Sequence, residues 1–152
     1  MALNTQFSDT LVNAMANSFI TTFAGAYIHI YTGNFSGAQV DGSRLIGNGG
    51  IPLAVFTLPS PAFASPVSGV IIANAIASVV ATGTGSPTCV RFVKANYSIN
   101  TNVQGGTAST DILMDCTAGA SDANLIISPI TSGTNVSIGS FTHEVTNATA
   151  GQ

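Results

Sequence analysis

Histidine and cysteine side chains are the groups in this sequence best suited to catalysis or metal binding. The chain contains two of each: His29, His143, Cys89 and Cys116. A catalytic nucleophile needs a neighbouring base and a group that orients that base. A structural zinc site needs about four ligands, most of them at short spacing. No two of these four residues lie within a few positions of each other, so we expect no catalytic residue, no metal site, no cofactor and no enzymatic activity.

Acidic and glycine-rich segments could in principle hold a cation or a phosphate. Asp111, Asp115 and Asp122 form the one acidic cluster, and calcium binds through oxygen ligands of this kind. We interpret these carboxylates as solvated groups at a strand end. The segments GNGG at 47–50 and TGTGS at 82–86 lack the lysine of a phosphate-binding loop and the third glycine of a dinucleotide fingerprint. Both are predicted to be turns.

One short extended segment, AYIHIYT at 26–32, combines aromatic and polar side chains. Alternation along a strand places Tyr27, His29 and Tyr31 on one face, with Ile28 and Ile30 on the other. The first face could bind a sugar, but the chain has no Trp and three Tyr. Amphipathic aromatic side chains also suit contact surfaces. We therefore interpret the face as a contact surface or a covered strand face.

Two further groups are expected inside the domain. Arg91 lies in CVRFV among apolar residues, which favours a partly buried ion pair, with an acid of the C-terminal part, over an interface contact. The chain is expected to be made in the cytosol and to have an ample core. Free buried thiols at Cys89 and Cys116 are therefore favoured over a disulfide.

The composition describes a domain with very few surface charges. The chain has 152 residues, enough for one domain, and 6% of them are charged while 45% are hydrophobic. The mean hydropathy is +0.44 and the net charge is −3. Three scattered basic residues cannot neutralise a phosphate backbone, so nucleic-acid binding is not expected. Because a solvated monomer normally carries charges of both signs, the exterior is expected to be covered by further copies or by a partner.

Membrane insertion and secretion are not expected. The first residues, MALNTQFSDTLVNAM, contain no basic segment followed by an apolar run. The most apolar stretch, 67–81, is shorter than the ~20 residues that a bilayer requires and is interrupted by polar residues. We expect synthesis in the cytoplasm.

The N-terminal segment has a helical period. Phe7, Leu11, Met15 and Phe19 recur every four residues, Val12 and Ala16 widen the apolar stripe, and Ser8 or Asp9 can cap the start. These features predict a helix over 8–21. We expect residues 1–24 to form a helical arm that acts as an assembly element outside the core, its apolar stripe covered partly by the chain and partly by a neighbour. Residues 25–152 are expected to form a single β-sandwich domain.

The rest of the chain has the pattern of an all-β domain, with short extended runs separated by Gly, Pro, Asn and Ser. Strands are predicted at 26–32, 53–58, 69–80, 89–97, 111–115, 124–127 and 135–144, with shorter ones near Leu45 and Val103. The 69–80 run is expected to be a central strand because one of its faces is lined with small residues. Segments 34–50 and 101–109 are predicted to be loops.

The order of these elements and their turn motifs resembles a group of small virion proteins of tailed bacteriophages. The resemblance covers most of the chain and is weaker towards its C-terminus. The motifs that carry it are IYTG at 30–33, LI at 45–46, PAF at 61–63, GVIIANAI at 69–76, TGT at 82–84, VRFV at 90–93, DILM at 111–114 and ITSGTNVSI at 130–138. Two features depart from the group: Val90, where an aromatic residue is common, and 94–102, where an acidic turn is usual.

The resemblance implies a fold and a role. It implies a jelly-roll-like antiparallel β-sandwich with a short N-terminal helix, and a capsid decoration or cement protein that binds the major capsid protein or another virion protein. It also favours a homotrimer on the capsid surface. The alternative is a tail, appendage or host-attachment module that binds sugar. The residues expected at an interface are Phe7, Leu11, Met15, Phe19, Tyr27, His29 and Tyr31.

Overall fold

The computed structural model describes residues 7–33, 35–40, 43–46, 50–94, 112–120, 125–139 and 141–145, and for 35–40 and 43–46 it describes the backbone. This part of the chain is mostly β structure with one helix. In chain order the elements are α1 (Asp9–Phe23), β1 (Tyr27–Tyr31), β2 (Phe35–Val40), β3 (Ser43–Ile46), β4 (Pro52–Thr57), β5 (Val70–Ile72), β6 (Val79–Val80), β7 (Cys89–Val93), β8 (Ile112–Gly119), β9 (Leu125–Ile126), β10 (Asn135–Val136) and β11 (Thr142–Glu144).

The main sheet has five strands in the order β4-β1-β7-β8-β9. All of its neighbours are antiparallel except β8 and β9, which are parallel. At its centre Ile28 lies opposite Phe56 on one side and Phe92 on the other. Because side chains alternate, these apolar residues share one face of the sheet. That face carries much of the core.

Three further strand pairs accompany the main sheet: β5 with β11, β6 with β10, and β2 with β3. Together the elements form an antiparallel-rich, predominantly β structure, as the sequence predicted. Two expectations were wrong. The segment 34–50 contains the β2–β3 hairpin and is not all loop, although β3 confirms the short strand predicted near Leu45. The predicted central strand at 69–80 is split into β5 and β6, each in a two-stranded sheet.

Asn74 accounts for the break in the 69–80 run. Its side-chain Nδ2 donates to the Pro61 carbonyl at 2.9 Å, and its backbone N–H donates to the Ala62 carbonyl at 2.9 Å. The backbone bond belongs to an isolated antiparallel bridge between Phe63 and Ala73, and the side-chain bond adds a second tie to the same segment. A side chain that bonds neighbouring backbone offers the chain an alternative to continuous sheet. The predicted strand near Val103, the 101–109 loop and the end of the 89–97 strand lie outside the described residues.

Helix α1 begins and ends where its sequence signals predicted, within two residues. Ser8 is the N-cap and its side chain accepts a hydrogen bond from the Leu11 N–H at 3.3 Å. After the helix, Gly25 adopts a positive φ of 69°, the conformation that favours glycine. No helix in the described part of the chain is long and apolar enough to span a membrane.

The inner side of α1 is part of the core. Ala16 and Phe23 belong to the same buried cluster as the main sheet, and Val12 is also buried. The Phe23 ring lies 5.6 Å from Phe92 of β7 in an edge-on arrangement. The expectation that the helix stands outside the core is therefore wrong, because its inner face is covered by the chain's own sheets.

A close contact fixes the helix against β5. Gly69 donates its backbone N–H to Asn13 Oδ1 at 2.9 Å and has a φ of +82°. A Cβ at this position would lie 2.3 Å from Val12 Cγ1 and 2.6 Å from the Val145 carbonyl oxygen. Only glycine allows the helix and the β5–β11 pair to approach this closely.

Candidate interaction surface and buried polar layer

The second face of the main sheet carries the polar residues that the sequence singled out. Because β1 pairs with β7, His29 lies opposite Arg91 and Tyr31 lies opposite Cys89. His29 is 3% exposed, Tyr31 is fully buried and Tyr27 is half-buried. At His29 and Tyr31, this face of β1 is therefore covered by the chain itself. We call His29, Tyr31, Arg91 and Asp115 the polar layer.

Arg91 and Asp115 form an ion pair between neighbouring strands. The register of β7 and β8 places them opposite each other. Arg91 Nε donates to Asp115 Oδ1 at 2.7 Å, and Arg91 Nη2 donates to Oδ2 at 2.9 Å. The two side chains are 0% and 3% exposed. The predicted ion pair at Arg91 is confirmed, and its partner is an acid of β8. The interpretation of Asp115 as a solvated carboxylate was wrong, because the arginine opposite it compensates its burial.

His29 is held neutral inside this layer. Its Nδ1 is hydrogen-bonded to the Tyr31 hydroxyl at 3.1 Å. Burial, with a further contribution from the positive charge of Arg91, lowers the pKa of His29 from 6.5 to about 4. The imidazole therefore carries no charge at neutral pH. Among the described contacts, the layer combines the Arg91–Asp115 ion pair with the hydrogen bond between His29 and Tyr31.

The two cysteines are not joined by a disulfide bond, as predicted. Cys89 is buried and its Sγ donates to the Gly33 carbonyl at 3.2 Å, while the Thr88 hydroxyl donates to the same oxygen. The register places Cys89 opposite Thr117, whereas Cys116 lies opposite Val90 and is half-buried. Adjacent register positions point to opposite faces of a pleated sheet. The sheet therefore keeps the two sulfurs on different faces.

A cleft of about 240 Å³ brings together residue types that are far apart in the sequence. Its lining includes Asp115, Cys116 and His143. Burial, aided by the charge of Asp115 and by Cys89, raises the pKa of Cys116 to about 12. Asp115 is bound by Arg91, and the His143 ring stacks on Phe19 at 4.6 Å. The cleft therefore offers no thiolate at neutral pH.

The same geometry bears on metal binding. Among the described residues, no group of three or more His, Cys, Asp or Glu side chains could hold a metal ion. Asp111 and Asp122, the other members of the acidic cluster, lie outside the described residues. The grouping of Cys116 with His143 could not have been predicted from the sequence, because it depends on how the β5–β11 pair packs against the main sheet.

The expected interface residues of the helix lie mainly on its outer side. Leu11 is 46% exposed and Met15 is 45% exposed, and Phe7 is also exposed. Phe19 is half-buried and stacks on Phe23 with ring centroids 4.0 Å apart. The seven candidate residues are thus not brought into one surface. Leu11 and Met15 lie on the outer helix face, Phe7 precedes the helix, and His29 and Tyr31 lie inside the chain.

The exposed surface of the described residues is more apolar than charged. Its exposed charged residues are Asp9, Lys94 and Glu144. Its exposed large apolar side chains number eight: Phe7, Leu11, Met15, Ile51, Val67, Ile72, Val80 and Ile126. Sequence reasoning identified the first three by their helical period. It did not single out the other five, of which Ile72, Val80 and Ile126 lie in segments predicted to be strands.

No family model, curated protein or solved structure matches the chain.

The arrangement of side chains on the two faces of the sheet limits which ligands the chain can bind. Arg91 and Asp115 neutralise each other inside the chain, and His29 is uncharged at neutral pH. These groups stabilise the sheet and cannot attract a charged ligand at the surface. The described surface presents uncharged polar side chains, eight large apolar side chains and few charges to other molecules, and exposed apolar groups of this kind are suited to protein contacts.

Proposed function

We propose that this chain is a structural protein of a tailed-bacteriophage virion, a capsid decoration or cement protein that binds the lattice of the major capsid protein and stabilises the head. The order of its turn and strand motifs resembles that of small virion proteins of tailed bacteriophages. This resemblance supports both the viral origin and the structural role. The chemistry of the chain supports an assembly subunit independently.

One observation carries the proposal: the exposed part of the described surface has eight large apolar side chains and three charged ones. A freely solvated domain normally has about a quarter of its residues charged. Exposed apolar side chains on a surface with so few charges favour association with other protein surfaces. A particle subunit meets this condition because its neighbours cover it.

The fold proposal goes with this role. We propose that the five-stranded sheet and the smaller strand pairs are the two layers of a jelly-roll-like sandwich, with α1 closing one end. The aromatic cluster supports two packed layers, because Phe141, next to β11, lies 5.3 Å from Phe92 of β7 and 6.1 Å from Phe63. Packed side chains of this kind fill the space between β layers.

The alternative role, a tail or host-attachment module that binds sugar, is less favoured by the same geometry. A sugar site would need exposed aromatic rings, and Tyr27, His29 and Tyr31 were the candidate platform. Tyr31 is fully buried and His29 is 3% exposed. Of the three candidate rings, Tyr27 is the one that is partly accessible, so they do not form a shared stacking platform for a sugar ring.

The expected partners follow from the proposed role. They are the major capsid protein or another virion protein, together with further copies of the chain in a homotrimer. Repeated copies multiply weak contacts, because the second and third contacts form at high effective concentration. The protein would be synthesised in the host cytoplasm and found on the capsid surface.

Localisation on purified particles tests the proposal. Particles from a host that carries this gene would be analysed by mass spectrometry and then labelled with a gold-conjugated antibody against the chain. The proposal expects the chain in purified particles and gold over the shell. Gold confined to tails or fibres would favour the attachment module, and absence from purified particles would contradict both.

A further inference from the structure

Residues 126–130 and 134–137 form the two arms of a splayed hairpin. A turn joins them, in which Thr134 donates its N–H to the Thr131 carbonyl at 3.1 Å. A cleft of about 300 Å³ lies between the arms. The first arm continues β9, which pairs with β8, and the second contains β10, which pairs with β6. The cleft therefore lies between edge strands of two different sheets.

The backbone of the first arm has hydrogen-bonding groups on the side away from β8. Ile127 donates its N–H to the Gly119 carbonyl at 2.8 Å, which fixes the edge that faces β8. In an extended strand, consecutive residues direct their backbone groups to opposite edges. The N–H and C=O of Ile126, and those of Ser128, therefore point away from β8. Ile130 exchanges two hydrogen bonds of 2.9 Å with Gly85, and Pro129 has no N–H, so the accessible edge on this arm is limited to Ile126 and Ser128.

The second arm is arranged in the same way. Ala81 donates its N–H to the Thr134 carbonyl at 2.9 Å, which fixes the edge that faces β6. By the same alternation the backbone groups of Asn135 point away from β6, as do those of Ser137. In the described part of the chain no backbone hydrogen bond joins the two arms across the cleft.

Open strand edges favour addition of another extended segment, because its backbone satisfies the unpaired donors and acceptors. Charged side chains normally prevent such pairing. All nine residues that line the cleft are uncharged: Ile126, Ile127, Ser128, Pro129, Ile130, Thr134, Asn135, Val136 and Ser137. Ile126 is 69% exposed and therefore adds an apolar contact at the mouth of the cleft.

We propose that this cleft is a strand-acceptor site that takes an extended, uncharged segment from a second copy of the chain. A second copy suits this uncharged lining because the chain is itself poor in charge: residues 45–90 and 123–142, which include its strands β4, β5, β6, β9 and β10, contain no charged side chain. A partner recognised through charge would find no group to pair with in this lining. The inference deepens the proposed function and rests on it for the need to self-associate.

Concentration-dependent self-association tests the site. Light scattering on the full chain would compare the native protein with Ile126→Lys, which places a charge at the cleft. Val67→Lys is the matched control, because Val67 is 73% exposed and lies in the turn before β5. We expect Ile126→Lys to weaken self-association about tenfold or more, and Val67→Lys to leave it within about twofold. Equal behaviour of the two variants, or a native chain that stays monomeric, would overturn the proposal.

Hydrogen exchange on the native chain provides a test without mutation. Backbone amides of Ile126, Ser128, Asn135 and Ser137 should exchange more slowly at concentrations where the chain associates than where it is monomeric. Unchanged exchange at all four amides would overturn the strand-acceptor site even if the chain associates. The particle localisation described above is independent of these measurements, so failure of the site and failure of the proposed function are distinguishable.

Discussion

Arg91 on β7 and Asp115 on β8 join neighbouring strands through two parallel hydrogen bonds of 2.7 and 2.9 Å, in a position where both side chains are almost fully buried. One of the three basic residues of the chain is thus used inside the sheet. Strand β7 also pairs with β1, which carries His29 and Tyr31. The ion pair therefore joins this central part of the sheet to β8. The ion pair has a structural role, so removing either side chain should lower the free energy of unfolding.

Removing one member of the pair should destabilise the chain strongly. Asp115→Leu leaves a buried guanidinium without its carboxylate, and we expect a loss of about 3–5 kcal/mol in the free energy of unfolding. The double variant Arg91→Met with Asp115→Leu should recover much of that loss, because neither charge of the pair then remains buried. Urea unfolding measures both. Glu144→Leu, at an exposed acid, is the control and should change stability by less than about 0.5 kcal/mol. A loss for Asp115→Leu no greater than the control's would contradict the account.

Stability should fall between pH 6.5 and pH 4 because of His29. In the unfolded chain the imidazole binds a proton near pH 6.5, whereas in the folded chain its pKa is lowered to about 4. The unfolded state therefore binds more protons in this window, and stability rises with pH. This contribution to the free energy of unfolding is fully present above pH 6.5, and ~3 kcal/mol of it is lost by pH 4. Urea unfolding of the native chain and His29→Gln between pH 5 and 7 checks this. Equal slopes in the two proteins would show that His29 does not titrate in this way.

The contact between α1 and β5 should depend on Gly69. Gly69→Ala adds a Cβ at 2.3 Å from Val12 Cγ1, on a backbone with φ +82°. Gly133→Ala is the matched control, since φ there is +83° and nothing lies within 4 Å of the added Cβ. We expect about 1 kcal/mol of destabilisation for Gly133→Ala, from backbone strain alone. The loss for Gly69→Ala should be at least twice as large. Thermal unfolding measures the difference, and equal losses would show that helix and strand are not tightly packed there.

The two sides of α1 should respond differently to truncation. Phe23→Ala removes a buried ring that contacts Phe63 and Phe92, and we expect a loss of about 3–5 kcal/mol. Leu11→Ala removes a half-exposed side chain and should change the stability of the single chain by less than about 0.5 kcal/mol. If the outer helix face is an interface, Leu11→Ala weakens self-association or particle binding instead. Equal destabilisation by the two substitutions in urea unfolding would contradict this division.

Local signals in the sequence predicted the elements in which apolar residues recur at a regular spacing. The helix followed from the four-residue spacing of Phe7, Leu11 and Met15 and from the cap at Ser8. Strand β1 followed from the alternation around His29. The side of the helix that is buried did not follow, because the apolar stripe is wide enough to include both Leu11 and Val12. Packing against Gly69 decided that Val12 faces inward.

Long-range pairing could not be predicted, and the polar layer depends on it. Arg91 and Asp115 are 24 positions apart, and a shift of one residue in the β7–β8 register would separate them. The broken strand at Asn74 depends in the same way on the Pro61 carbonyl, 13 positions away. Sequence patterns therefore predicted the mostly β class and the few surface charges, whereas the partners of the buried polar groups required the structure.

Reconstitution on particles that lack this chain tests the central claim most directly. Particles assembled without the chain would be mixed with purified protein, and bound protein and the temperature of genome release would be measured together. The account predicts saturable binding to the shell and release at a higher temperature. Shells that bind none of the purified protein, and release their genome at an unchanged temperature, would contradict it.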